Sequence, residues 1–552
     1  MKKIPLYEVR EIKDIKQLFN DSCKIYAGNT AFMQKRNSDV YENITYSEAQ
    51  KDVDGLGTAF GDLGLDKKRI AIIGENRYEW AISYLATITG TNIVVPLDRQ
   101  LSIMELKNCL KRANVSAVIY SPKVEEKINE VKKELQYIKH FISMDNIYDL
   151  INKGKEKIER GYTNFQDVKI NENEMRVLLF TSGTTSESKA VMLSHKNIVA
   201  NLRAQCQMIK FTPEDTFLSI LPLHHCFECT CGFLNPIYRG ATIAYCEGLR
   251  HIQKNMQEVH PTTVLAVPLI YETMYKKIWE TIDKKGKTKL IKSMIKFTNT
   301  FKGLKKKVFK EIHKSFGGNI KILIAGAAAI SPEVSKGYRD FGINLIQGYG
   351  LTECSPIVTL NRTVDYNDKS IGYALPDMEV KIENANEEGI GEIVAKGENV
   401  MLGYYQNPNA TKEVIKNGWF YTGDLGYMDE KGFFYITGRK KNVIITKNGK
   451  NVYPEEIESM LNKSLFIKES MLCGKEGKND TKIHAKIVLD EEYIKDLNLT
   501  KEELKEKVWN EIKLINENLV IYKHVTGFDI MEKEFEKTTT MKIKRYIESE
   551  KQ

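Results

Sequence analysis

The chain has no uninterrupted apolar run that would cross a bilayer. Its most membrane-like stretch, residues 216–238, is broken by Pro222, His224, His225, Glu228 and Pro236, which makes it a poor spanning helix. The N-terminus, Met1-Lys2-Lys3-Ile4-Pro5-Leu6-Tyr7-Glu8, has two lysines but no apolar segment behind them, so no secretory signal is expected. Cysteine is odd in number and irregularly scattered, nine residues in all. That argues against a disulfide framework and for a reducing, cytoplasmic compartment. Internal repeats, low-complexity tracts and recognisable RNA- or DNA-binding modules are also missing. The net charge of +9, from 82 basic and 73 acidic residues, is modest for this length and does not call for nucleic acid. What is present is an ordinary globular balance of 42% apolar and 28% charged residues. The 552 residues suffice for roughly three to four average domains.

The first three-quarters of the chain alternates short β-rich runs with helical patterns. Arg69–Gly74, Asn92–Pro96, Ala117–Tyr120, Thr263–Val267 and Lys321–Ala325 read as strands. Helical patterns pass through Trp80 and Leu85, Met104 to Arg112, and Tyr271 and Ile278. Such alternation implies parallel sheets covered by helices, which bind ligands at the carboxyl ends of their strands. From about Asp377 the runs become shorter and β-rich (Val380–Ile382, Gly391–Ala395, Phe433–Ile436), suggesting a small barrel-like unit. After Gly438-Arg439-Lys440-Lys441 a separate α+β unit is expected. It has helices at Pro454–Asn462 and Thr500–Asn516, the latter opened by a Thr500/Glu503 capping box.

One loop stands out chemically. Thr181-Ser182-Gly183-Thr184-Thr185-Ser186 carries five small hydroxyls in six positions and is closed by Lys189. It follows the strand-like Val177–Phe180 and precedes a helix start at Ser194-His195. Hydroxyl and backbone N–H donors ending in an ammonium suit a polyphosphate. The spacing is not that of a Walker A loop.

Downstream, Gln347-Gly348-Tyr349-Gly350-Leu351-Thr352-Glu353 is followed by Tyr421-Thr422-Gly423-Asp424 and Gly438-Arg439-Lys440-Lys441. Last comes Lys537-Thr538-Thr539-Thr540-Met541-Lys542-Ile543-Lys544-Arg545. In this order and at these separations, from about Ile44 to Arg545, the segments resemble the adenylate-forming superfamily. Leu221–Glu228 and Asn451–Glu458 further resemble its bacterial long-chain acyl-CoA synthetases.

The resemblance implies a fold and a reaction. The fold class is α/β: a large N-terminal domain (1–438) of two helix-covered sheets with a β-rich subdomain (375–438), and a small mobile α+β domain (439–552) hinged near Lys441. The reaction is ATP-dependent conversion of a fatty acid to an acyl-adenylate, then a CoA thioester, with fatty acid, ATP, Mg²⁺ and CoA as participants. Thr181, Ser182, Gly183, Thr184, Thr185 and Lys189 would hold the β- and γ-phosphates. Gly326-Ala327-Ala328, with Gln347, Gly348, Tyr349 and Gly350, would form the adenine slot, with Tyr349 stacking on the base. Thr352 would contact phosphate, and Glu353, after the turn Gly348-Tyr349-Gly350, would bind Mg²⁺. The bland reading of Glu353 is a helix N-terminal acid. Asp424 and Arg439 would take the ribose, and Lys542 would bridge carboxylate and α-phosphate. His225 and Phe227 would stand beside the carboxylate end of the acyl channel.

The pattern also departs from the family's loop, which usually reads Thr-Ser-Gly-Thr-Thr-Gly-x-Pro-Lys-Gly. Ser186, Ser188 and Ala190 replace Gly, Pro and Gly, and Met541 replaces the Gly before the terminal lysine. These changes bear on rate more than on reaction type, since no charged group is lost. Three competing readings accompany the main one: acyl transfer to the phosphopantetheine of a carrier protein, a regulatory nucleotide- or acyl-binding protein without catalysis, and a metal site built from His224, His225, Cys226, Cys229 and Cys231. Residues 284–314 contain twelve lysines and one acid, Glu311, with apolar residues interleaved. They read either as a solvated helical insertion over the core or as a basic amphipathic surface for peripheral contact with an anionic membrane.

Overall fold

The computed structural model describes residues 4–36, 38–181, 188–446, 450–476, 481–495, 497, 499–537 and 543–550. The chain forms two compact units: residues 1–181, 188–379 and 396–418 make up the first, and residues 182–187, 380–395 and 419–552 the second.

The first unit is built on two sheets. One has the strand order Gly403–Tyr404, Lys189–Ser194, Met175–Thr181, Ile93–Leu97, Arg69–Ile73, Ala117–Tyr120, His140–Ser143. Its last five strands run parallel. The β-branched runs Arg69–Ile73 and Ile93–Leu97 are buried almost throughout, as central parallel strands between helices must be. The helix Tyr78–Ile88 that joins them is buried along its whole length.

The second sheet begins Tyr373–Ala374, Ile357–Leu360, Asn344–Gly350, Ile322–Ala325. It continues Thr263–Ala266, Thr216–Ser219, Thr242–Tyr245, Thr30–Gln34, Glu42–Thr45. Its parallel centre is covered by the helices Pro268–Lys284, Pro332–Asp340 and Ile252–Val259, whose inner faces supply Tyr271, Tyr338 and Met256 to one core. The expected pattern of two helix-covered sheets holds.

The lysine-rich segment is helical. Thr288–Thr300 turns Ile291, Met294 and Ile295 onto a small cluster of Ile282, Phe309 and Phe341.

In the second unit, the strands Gly391–Gly397, Trp419–Met428 and Phe434–Arg439 pair antiparallel in that order. Beyond them, the strands Ile467–Glu476, Thr481–Leu489 and Val525–Ile530 carry the helices Pro454–Leu461 and Lys501–Asn516. These pack Ile457, Leu461, Val508 and Ile512 against Ala485 and Ile487. The capping box at Thr500 forms as expected: its hydroxyl accepts from the Glu503 N–H at 3.2 Å while the Glu503 carboxylate accepts from the Thr500 N–H at 2.8 Å.

Candidate active site

Two charged groups of the first unit meet on one phenol. The hydroxyl-rich loop joins the antiparallel strands Met175–Thr181 and Lys189–Ser194, in which Thr181 faces Lys189. The Thr181 hydroxyl donates to the Lys189 carbonyl at 3.2 Å, closing the neck of the loop. The Lys189 ammonium lies over the Tyr404 ring, 4.5 Å from its centre. The Tyr404 hydroxyl in turn donates to Glu353 Oε1 at 2.8 Å. Tyr404 sits on the short strand Gly403–Tyr404, paired with Lys189–Ser194, and the Met401 N–H donates to the Glu353 carbonyl at 2.8 Å. Lys189, Tyr404 and Glu353 therefore share one place although they are far apart in sequence. Ser182, Gly183, Thr184, Thr185 and Ser186 lie outside the described residues.

Glu353 belongs to the 3₁₀ turn Thr352–Cys354, which is too short to present a helix terminus. Its half-buried carboxylate accepts from a phenol. One hard carboxylate that leaves the remaining positions to phosphate and water is a donor set Mg²⁺ accepts, so the residue fits the ion.

The segment Gly348-Tyr349-Gly350 differs from the expected turn. It is the end of the strand Asn344–Gly350, paired antiparallel with Ile357–Leu360. Close packing is the reason. A methyl on Gly350 would lie 1.9 Å from the Pro356 carbonyl oxygen, so glycine lets the two backbones meet where the register shifts.

Gly326-Ala327-Ala328 leaves the carboxyl end of Ile322–Ala325. Gly326 is buried and Ala328 exposed. Ala327 has φ 71°, a left-handed conformation that costs a residue with a Cβ and is held only by its surroundings. Part of that hold comes from Gln347. Its Nε2 donates to the Ser370 carbonyl at 2.9 Å and its Oε1 accepts from the Ile330 N–H at 3.2 Å.

The segment before His225 is clamped by Asn76. Asn76 Nδ2 donates to the Ser219 hydroxyl at 2.9 Å and to the Leu221 carbonyl at 2.7 Å, and Oδ1 accepts from the Leu223 N–H at 3.0 Å. Ser219 passes the connection on, donating to Glu228 Oε1 at 2.6 Å. Glu228 opens a single π-turn, Glu228–Leu234, and burial raises its carboxyl to about 8. His224 is buried and its imidazole is lowered to about 3, by desolvation first and the Arg99 charge second. His225 and Phe227 are half-exposed, whereas Cys226, Cys229 and Cys231 are buried. Burial pushes the Cys226 thiol up to about 12, and these cysteines pack as small apolar residues. Among the described residues no group of three or more His, Cys, Asp or Glu side chains is placed to hold a metal ion. The His/Cys metal reading is therefore set aside.

In the second unit Asp424 and Arg439 face each other across neighbouring strands. Arg439 Nε meets Asp424 Oδ1 at 2.6 Å, with the carboxylate buried and the guanidinium half-exposed. The strand just before Asp424 is fixed by Glu392, which accepts from the Gly423 N–H at 3.0 Å and pairs with Lys440 at 2.8 Å. Lys542 lies outside the described residues. Its flanks are placed: Lys537 bridges to Ile543, and Arg545 pairs with the buried Glu458.

Residues 19–405 match the AMP-binding enzyme model, and residues 441–549 match the C-terminal domain of AMP-binding enzymes. The chain belongs to the AMP-binding enzyme family. Long-chain-fatty-acid–CoA ligase 5 of Rattus norvegicus is 30% identical over 514 residues, covering 85% of this chain and 74% of that protein. Fatty acyl-CoA synthetase A of Dictyostelium discoideum is 27% identical over 496 residues, covering 84% and 74%. Among solved structures, the anthranilate CoA ligase AuaEII in complex with anthranoyl-AMP superposes with a TM-score of 0.79 at 19% identity, covering 100% of this chain and 98% of that one. A Mycobacterium tuberculosis fatty acyl CoA synthetase does so with a TM-score of 0.69 at 20% identity, covering 98% of each.

Sequence reading of this AMP-binding enzyme missed Tyr404, Asn76, Ser219 and Glu392. Each is an ordinary residue locally, and its partner stands up to 147 positions away. It also treated Ala190 as a departure bearing on rate. The residue is buried in the strand Lys189–Ser194 opposite Phe180, where a Cβ is an ordinary part of the core.

Proposed function

We propose that this AMP-binding enzyme activates a medium- or long-chain fatty acid in two half-reactions. The fatty carboxylate oxygen attacks the α-phosphorus of ATP, and the bond to pyrophosphate breaks. The CoA sulfur then attacks the acyl carbon of the adenylate, AMP leaves, and the thiol proton is released. The ligase reaction is that of the family and its long-chain relatives. The residue roles rest on the cluster of Lys189, Tyr404 and Glu353, a cation, a phenol and a hard carboxylate brought together in the first unit.

In this reading Thr181 to Thr185 and Lys189 hold the outer phosphates, and Thr352 contacts phosphate. Glu353 would hold Mg²⁺, which when bound neutralises charge on phosphate oxygens. Tyr404 orients the Glu353 carboxylate and screens Lys189. Gly326-Ala327-Ala328 and Tyr349 receive the adenine, with Gln347 as the loop's support. Asp424 accepts from the ribose hydroxyls, and Arg439 holds that carboxylate in place. His225 and Phe227 meet the carboxylate end of the acid. Lys542 supplies the ammonium that bridges the reacting oxygen and the α-phosphate, with Lys441 as the hinge that lets it arrive and leave. A reducing, cytoplasmic setting fits the nine unpaired cysteines.

Exchange of labelled pyrophosphate into ATP, with Mg²⁺ and a panel of fatty acids, tests the adenylation. Adding CoA or a holo-carrier protein then identifies the thiol acceptor. Exchange with fatty acids and consumption of CoA is the expected result. Exclusive transfer to the carrier would replace the second half-reaction, and no exchange with any carboxylic acid would leave a binding protein.

A further inference from the structure

The lysine-rich segment uses only one of its faces for the core. Ile291, Met294 and Ile295 of Thr288–Thr300 point inward. Leu290 and Phe297, seven residues apart and thus on one side of the helix, are each 56% exposed. Phe301 is 54% exposed and its ring lies 5.2 Å from that of Phe297. Leu304 is 39% exposed. Four large apolar side chains thus stand in water within fifteen residues. Around them Lys289, Lys292, Lys296, Lys306, Lys307 and Lys310 are exposed and have no ion pair among the described residues. Across residues 284–314, acid is limited to Glu311, which pairs with Lys314 at 3.0 Å. Among the described residues no helix is long and apolar enough to cross a membrane.

We propose that residues 287–310 dock on the surface of an anionic lipid bilayer. Leu290, Phe297, Phe301 and Leu304 enter the boundary between headgroups and acyl chains, and the lysines reach the lipid phosphates. Charge complementarity alone would admit an acidic protein or a polyanion. The exposed phenylalanine pair decides for lipid, because a charged partner offers those rings nothing and a bilayer buries them. The stems of the lysines can lie along the same apolar surface while their ammonium groups stay wet. Docking would set the enzyme beside a phase in which fatty acids partition. The surface stands independently of the nucleotide site, and its test needs no turnover.

The test is co-sedimentation of the full chain with vesicles of phosphatidylcholine plus phosphatidylglycerol, against pure phosphatidylcholine. Binding is expected to the anionic vesicles only, weakening as salt is raised. Lys289→Gln with Lys292→Gln and Lys296→Gln should lower it about 100-fold, each basic residue near such a surface contributing roughly fivefold. Phe297→Ser with Phe301→Ser should lower it at least about tenfold. The substituted side chains are exposed, so thermal midpoints should stay within about 2 °C of the parent, and pyrophosphate exchange with a soluble medium-chain acid should persist. Phe297→Trp should shift its emission to the blue with anionic vesicles but not with heparin or an acidic carrier protein. Absence of vesicle binding, binding insensitive to both multiple variants, or an equal emission shift with heparin would overturn the proposal.

Discussion

The ring of Phe227 stands over the α-carbon of Gly326, so close that a methyl at that position would lie 2.7 Å from the ring. The segment proposed to meet the acid and the loop proposed to receive adenine are thereby in contact within one unit. Gly326→Ala should push the ring aside with little loss of stability, since the far end of a side chain gives way more easily than backbone. The KM values for ATP and fatty acid should both rise, by about tenfold or more, because about 1.4 kcal/mol of lost fit is a factor of ten. Unchanged KM values in steady-state kinetics would show that the contact is incidental.

Glu228 should make stability fall as pH rises. Its carboxyl is raised by burial from 4.5 to about 8. The native chain therefore holds a proton that the unfolded chain has released between these values, and unfolding is favoured progressively until pH passes 8. Glu228→Gln removes the ionisation and keeps an acceptor for Ser219. Calorimetry should give the parent a lower thermal midpoint at about pH 9 than at about pH 6, with a smaller drop in the variant. Equal drops would mean that Glu228 is already charged at neutral pH.

Asn76→Ala should loosen the segment carrying His225 and Phe227. Three hydrogen bonds to residues 219–223 disappear together, each with a net value of about 1 kcal/mol. The expected split is a KM for fatty acid raised about tenfold or more with a smaller change in KM for ATP. Parallel changes in both would point to general unfolding of the region.

Asp424→Asn should weaken ATP binding about 10- to 100-fold, the range for hydrogen bonds to a charged group. It also removes the negative charge from the 2.6 Å partner of the Arg439 guanidinium. Calorimetric titration with ATP reads the effect directly. An unchanged Kd would remove the ribose role.

Lys542→Ala should lower pyrophosphate exchange about 10²- to 10³-fold, as loss of one positioned donor to developing charge does. Turnover of a pre-made acyl-adenylate with CoA should persist. If both half-reactions fell equally, the lysine would not be specific to adenylation.

The strands and helices of the first unit were legible because apolar periodicity is a property of near neighbours. Arg69–Ile73, Tyr78–Ile88 and Ile93–Leu97 appear where hydrophobic runs and turns put them. The pairing of Asp424 with Arg439 was within reach too, since the two strands are joined by a short turn. Gly348 to Gly350 was misjudged because glycine marks both turns and close backbone contacts, and only the neighbouring strand Ile357–Leu360 separates the two.

Local sequence alone fixed the capping of Lys501–Asn516 by Thr500 and Glu503 and the buried central strands Arg69–Ile73 and Ile93–Leu97. Tertiary structure decided that Tyr404 joins Lys189 to Glu353, that Asn76 holds the segment before His225, and that Phe227 covers Gly326. Those contacts depend on strand order. A capping bond spans three residues and forms wherever the helix starts, whereas a bond across 51 or 143 positions exists only once the sheets have set which strands are neighbours.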